Sequence, residues 1–124
     1  MVNNLKFKFI NIGATRYVFL VGDFAIKIPR LSHWENFLQG LLANLQEVKF
    51  STTKWPKLCP VIFSLPLGFL LIMPRCKPIS NENWYTFKLE LDIWVKEDYY
   101  VIPVEHKQNS FGWLNENIVA LDYG

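Results

Sequence analysis

Two residues, Gly22 and Asp23, separate the runs Arg16–Val21 and Phe24–Pro29, and so short a connection can only fold the second run back antiparallel to the first. Both runs are rich in β-branched and aromatic residues, and Pro29 ends the second because proline cannot extend a sheet ladder. Upstream, Leu5-Lys6-Phe7-Lys8-Phe9 alternates apolar and basic residues, the period-two signature of a strand with one wet face. The segment Asn11-Ile12-Gly13-Ala14-Thr15 is the turn between them. The first 29 residues therefore read as a three-stranded antiparallel meander.

The period then changes. Ser32-His33-Trp34-Glu35 has the form of a capping box, in which the serine hydroxyl and the glutamate carboxylate each satisfy a free backbone N–H at a helix start. Behind it Trp34, Leu38, Leu41, Leu45 and Val48 fall on one helical stripe, so a helix is expected from Ser32 to Lys49 with that stripe packed inward. After a polar connection, Pro60–Leu65 and Phe69–Pro74 read as two buried strands of the same sheet, joined at Pro66-Leu67-Gly68. Ser80 caps a second helix carrying Trp84, Phe87, Leu91 and Trp94; alternation of Phe87, Leu89, Leu91 and Ile93 leaves a strand as the other reading. Tyr99–Val104 is extended, and Ser110–Leu114 with Asn117–Leu121 forms a closing hairpin that turns at Asn115-Glu116.

The fold class is therefore α+β, an antiparallel sheet of about five strands with one main packed helix. At 124 residues and 51% hydrophobic content the chain suits a single domain over residues 1–124. Its formal charge of +2 is dispersed, with Glu90-Leu91-Asp92 and Glu97-Asp98 interrupting the lysines, which argues against nucleic acid or an anionic membrane as partner. Five Trp and ten Phe in so apolar a chain belong to a core rather than to a base-stacking surface. Cys59 and Cys76 lack CxxC spacing and read as two buried free thiols, pointing to a reducing compartment. No signal sequence is evident at the start, and the apolar run from Pro60 to Pro74 is too short to span a bilayer. A soluble, cytoplasmic protein is expected.

The last stretch carries the chemistry. A polar loop with Asn109 leads into a short apolar strand that delivers Asp122-Tyr123-Gly124, placing the aspartate thirteen positions after the asparagine, which suits two side-chain oxygens converging on one cation. In order, the chain has a glycine turn in a hairpin, a strand with Ala25-Ile26-Lys27, a helix, two apolar strands, the Asn109 loop and Leu121-Asp122-Tyr123-Gly124. This order resembles the protein kinase-like fold, which includes aminoglycoside-type small-molecule kinases, in a compressed form that covers nearly the whole chain.

The resemblance implies an N-lobe-like sheet and helix with a reduced second lobe ending at Asp122-Tyr123-Gly124. It also implies ATP and magnesium as cofactors. Lys27 would reach the nucleotide phosphates, and Glu47, twenty positions on, would hold it in place. Helical geometry turns Glu47 away from the Trp34–Leu45 stripe, and Glu35 is the other candidate. Gly13 and Thr15 stand for the phosphate-covering turn, with Arg16 helping if it faces inward. Met73–Lys77 matches the adenine-binding segment between lobes, Asn109 and Asp122 match the magnesium ligands, and His106 matches the catalytic-loop histidine.

The departures are as specific. Val104 occupies the position of the catalytic aspartate, five residues before Asn109, and only Glu105 stands near enough to replace it as a base. An activation segment and a helical substrate lobe are missing, which implies a minimal domain or a piece completed by a protein partner. The expected function is ATP and magnesium binding, with reduced phosphotransferase activity through Glu105 as one form. A catalytically silent, pseudokinase-like interaction protein is the other, and a small structural domain with accidental motif matches is the third.

Overall fold

A computed structural model describes residues 7–10, 15–96 and 101–123. The expectations for Gly13 and for Tyr99-Tyr100 fall outside those residues. Within them the chain is α+β. Strands β1 (Phe7–Ile10), β2 (Arg16–Val21) and β3 (Phe24–Pro29) form the expected meander. Gly22 adopts φ 57° in the turn between β2 and β3, a left-handed conformation that glycine enters without a Cβ clash. Strands β4 (Phe63–Ser64) and β5 (Leu71–Pro74) complete a five-stranded antiparallel sheet in the order β1-β2-β3-β5-β4.

The two later strands differ from expectation at the sheet edge. Only Phe63 and Ser64 of the Pro60–Leu65 run pair with β5, and Ile62, Phe63 and Leu65 are exposed rather than buried. Prolines at 60 and 66 flank the run and supply no N–H, so it serves as a short edge strand covered on one side only. In β5 the alternation is clear, with Leu71 and Met73 buried.

Helix α1 runs from Trp34 to Ser51, but the capping box does not form: His33 is the N-cap and no side chain caps the helix. The expected inward stripe is also corrected. Trp34 is 71% exposed, and Leu38 and Leu45 are exposed as well, whereas the buried residues of α1 are Gly40, Asn44 and Glu47. These three recur at helical spacing, so the helix does bury one face, and that face is small and polar. The reason is backbone proximity. A Cβ on Gly40 would lie 2.4 Å from the Thr15 carbonyl oxygen and 2.8 Å from the Pro29 Cα, so α1 lies directly on the ends of β2 and β3. On the other flank Gly68, at φ 81°, fits beneath the Leu41 carbonyl.

Ser80 does cap the second helix, accepting the Asn83 N–H at 3.3 Å, and residues 81–88 and 91–94 are helical rather than strand. They form α2 (Asn81–Lys88) and α3 (Leu91–Trp94), broken at Glu90, which leaves helical geometry at φ −103°. Trp84, Phe87 and Trp94 are core as expected and surround Phe111 with ring centroids 5.3–5.9 Å from it, whereas Tyr85 is exposed and so, elsewhere, are Trp34, Phe24, Phe63 and Phe69. Strands β6 (Phe111–Leu114) and β7 (Asn117–Ala120) make the closing hairpin, turning through Asn115 at φ 58°.

The hairpin is tied to the rest through backbone. Lys77 and Trp113 exchange N–H···O bonds of 3.0 and 2.8 Å, and the Cys59 N–H donates to the Ala120 carbonyl at 2.9 Å. These contacts bring the chain end against the sheet and α1, which places residues 121–123 at the site. Among the described residues no helix is long and apolar enough to cross a membrane.

Candidate functional site

Ladder register sets the face of the sheet that matters. Val18 pairs with Lys27, Leu20 with Ala25, and Ala25 with Met73, so these side chains share one face, and Arg16 joins them by the period of two along β2. Together with the segment after β5 and the loop before β6 they line a cavity of about 660 Å³. One wall is apolar, built from Leu20, Ala25, Met73, Pro74, Ile79 and Phe111. The other end carries charge: Arg16, Lys27 and Asp122 stand there, and Lys107, paired with Glu105, is also on the lining.

Behind that charged end lies an ion network. The Lys27 ammonium is 2.9 Å from Glu47 Oε1, and the Arg16 guanidinium grips the same carboxylate with Nη1 at 2.7 Å from Oε1 and Nη2 at 3.0 Å from Oε2. Arg16 also pairs with Asp122 and donates to Asn44 Oδ1 at 3.1 Å. Asn44 is itself held by donating to the Gly68 carbonyl at 2.9 Å. Glu47 further accepts the Tyr123 N–H at 3.0 Å, and Lys27 donates to the Leu121 carbonyl, so the Leu121-Asp122-Tyr123 segment is fixed by both members of the pair. The Tyr123 hydroxyl donates to the Cys59 carbonyl at 2.6 Å.

Burial sets the electrostatics. Glu47 is fully buried, which alone would push its carboxyl up, but the Lys27 and Arg16 charges and their hydrogen bonds outweigh this and hold it below the usual carboxylate range. For Lys27 the balance falls the other way: burial lowers the ammonium below its ordinary range, although Glu47 opposes the shift. Arg16 is raised, because Glu47 and Asp122 together overcome the effect of burial. A bidentate guanidinium between two carboxylates is the geometry that keeps buried anions charged.

The structure thus brings Lys27, Glu47 and Asp122 into one cluster and places Asn109 on the lining of the same cavity. Met73, Pro74 and Cys76 of the expected adenine segment line it too. Other expectations are corrected. Thr15 is not on the cavity lining; its carbonyl lies under Gly40 and accepts the Arg30 N–H at 2.7 Å, which turns the residue towards α1. Glu105 and His106 are not on the cavity lining either. Glu105 is exposed and pairs with Lys107 at 3.1 Å, and His106 Nδ1 faces Asp92 at 3.7 Å. Val104, at the catalytic aspartate's position, is packed in the core.

Two members of the site were underweighted in the sequence. Arg16 shares the alternation of Val18 and Leu20, a signal that it faces inward, and Asn44 lies one turn before Glu47 on α1. Cys59 is buried and Cys76 half-buried, both as free thiols with their sulfurs 3.5 Å apart. The neighbouring Cys76 thiol and burial push Cys59 well up.

An apolar slot leading to converging cations suits a planar base attached to phosphates. One Asp122 oxygen is engaged by Arg16, and Asn109 is an exposed amide. No protein-family model matches the chain, and no curated protein matches its sequence, which leaves this geometry to carry the functional reading.

Proposed function

We propose that the chain binds a nucleoside triphosphate, ATP in the first instance, through a protein kinase-like arrangement in which the five-stranded sheet and α1 correspond to an N-lobe. The observation that carries this is the buried Lys27–Glu47 pair, 2.9 Å apart, at the charged end of a cavity whose opposite wall is apolar. In this reading Lys27 meets phosphate, Glu47 holds Lys27, and Met73–Cys76 flanks the base.

A binding role is favoured over phosphotransfer by two further observations. Val104 is a core residue, and Glu105, the adjacent carboxylate, is exposed, paired with Lys107 and not on the cavity lining. The reading is tested by a thermal-shift titration with ATP on the wild type and on Lys27→Met. A ligand that binds only the folded state raises its melting temperature. The wild type is expected to shift and the variant not to; an unshifted wild type at millimolar ATP would overturn the proposal.

A further inference from the structure

In a polyphosphate site a divalent cation does two jobs: it neutralises phosphate oxygens, and it lets them approach a protein carboxylate that would otherwise repel them. Here the second job is done from within the protein. Among the described residues Asp122 is the one carboxylate on the cavity lining, and the Arg16 guanidinium is bonded to it. Arg16 is itself fixed, because its other bonds run to Glu47 and Asn44, both fully buried. The first job has candidates as well, since Arg16, Lys27 and Lys107 all line the cavity and outnumber Asp122.

Resting on the nucleotide reading above, we infer that the cavity holds its polyphosphate without a divalent cation, with Arg16 providing the neutralisation of Asp122 that the metal would otherwise supply. Asp122 is 24% exposed while Glu47 is sealed, so Asp122 is the carboxylate that an incoming phosphate meets, and it is met already paired. Phosphate then bonds to Lys27 with no bare anion facing it. Magnesium adds little, because its approach to Asp122 has to compete with a buried guanidinium that cannot be deprotonated.

Isothermal titration with ATP, in excess EDTA and in excess magnesium, tests this on the intact chain. Wild-type affinity is expected to agree between the two buffers within about threefold, whereas Arg16→Gln, which bares Asp122, is expected to lose about tenfold or more in EDTA. Adding Asp122→Asn to Arg16→Gln removes the bared charge and is expected to recover most of that loss. Folding of each variant is checked by its thermal melt. Wild-type binding that tightens tenfold or more with magnesium would overturn the inference and leave the nucleotide reading standing, and so would Arg16→Gln binding in EDTA as well as the wild type. No ATP binding by the wild type in either buffer would overturn both.

Discussion

Lys27 and Glu47 face each other across the junction of β3 and α1 at 2.9 Å, and Glu47 has no solvent exposure. Arg16 converges on the same carboxylate and also pairs with Asp122, so Glu47 is the anion shared by two buried cations. Replacing Glu47 with alanine leaves both cations without that partner in a dry site, and the expected loss is about 3–5 kcal/mol of stability. Urea unfolding of Glu47→Ala reads this directly. A loss under roughly 1 kcal/mol, typical of an exposed ion pair, would contradict the buried network.

The same pair sets an acid response. Glu47 is held below the usual carboxylate range in the folded state, so its contribution is fully present above the unfolded glutamate value and is lost as pH falls through the lower folded value. Between these two values the unfolded chain binds the extra proton, and stability therefore declines with acid. Urea midpoints followed downward from about pH 5 should fall more steeply for the wild type than for Glu47→Gln, which has no carboxyl to protonate. Equal slopes would show that Glu47 is not the group responsible.

Gly40 gives a prediction with the opposite sign to helix propensity. Alanine is the better helix former by roughly 1 kcal/mol. Its Cβ, however, would lie 2.4 Å from the Thr15 carbonyl and 2.8 Å from the Pro29 Cα, and both are backbone atoms that cannot swing aside. Gly40→Ala is expected to be net destabilising by about 1–3 kcal/mol, as α1 is forced off the sheet. A variant that melts at or above the wild-type temperature would show that the contact is looser than this.

Gly40 also shows why the sequence could be read only in part. Alternation and turn chemistry exposed β2, β3, the closing hairpin and the Ser80 cap, because those signals are local. The twenty-residue spacing of Lys27 to Glu47 marked a pair that does meet, whereas Asn109 and Asp122 share only the cavity lining and Asp122 pairs with Arg16. The buried face of α1 was not legible. Hydrophobic periodicity assumes that a helix packs its apolar stripe inward, and here Gly40, Asn44 and Glu47 face in while Trp34, Leu38 and Leu45 face out. A polar inward face is stable only against a matching set of charges, and Arg16 and Lys27 come from strands whose register a sequence does not print.

Tyr123 anchors the segment that carries Asp122. Its hydroxyl donates to the Cys59 carbonyl at 2.6 Å, and burial pushes the phenol well up, so it stays a donor across the working pH range. Tyr123→Phe keeps the ring packing and removes the donor, leaving a buried carbonyl without that partner. The expected loss is roughly 1–3 kcal/mol, measured by urea unfolding. A neutral substitution would mean that the hydroxyl is not anchoring the segment.

Lys27 separates stability from binding, because it is not the sole counterion of Glu47. In Lys27→Met the Arg16 guanidinium still grips that carboxylate at 2.7 Å, and the methionine chain fills the space of the lysine stem. The stability loss should therefore be smaller than for Glu47→Ala, roughly 1–3 kcal/mol against about 3–5 kcal/mol. Ligand binding should show the reverse order of severity: Lys27→Met removes the cation placed to meet phosphate, so its melting temperature should not respond to ATP even where the protein is fully folded. Measuring unfolding and ATP-induced shift on the same two variants tests both halves. If Lys27→Met were the less stable of the two, Arg16 would not be the principal partner of Glu47, and the network would have to be redrawn around Lys27.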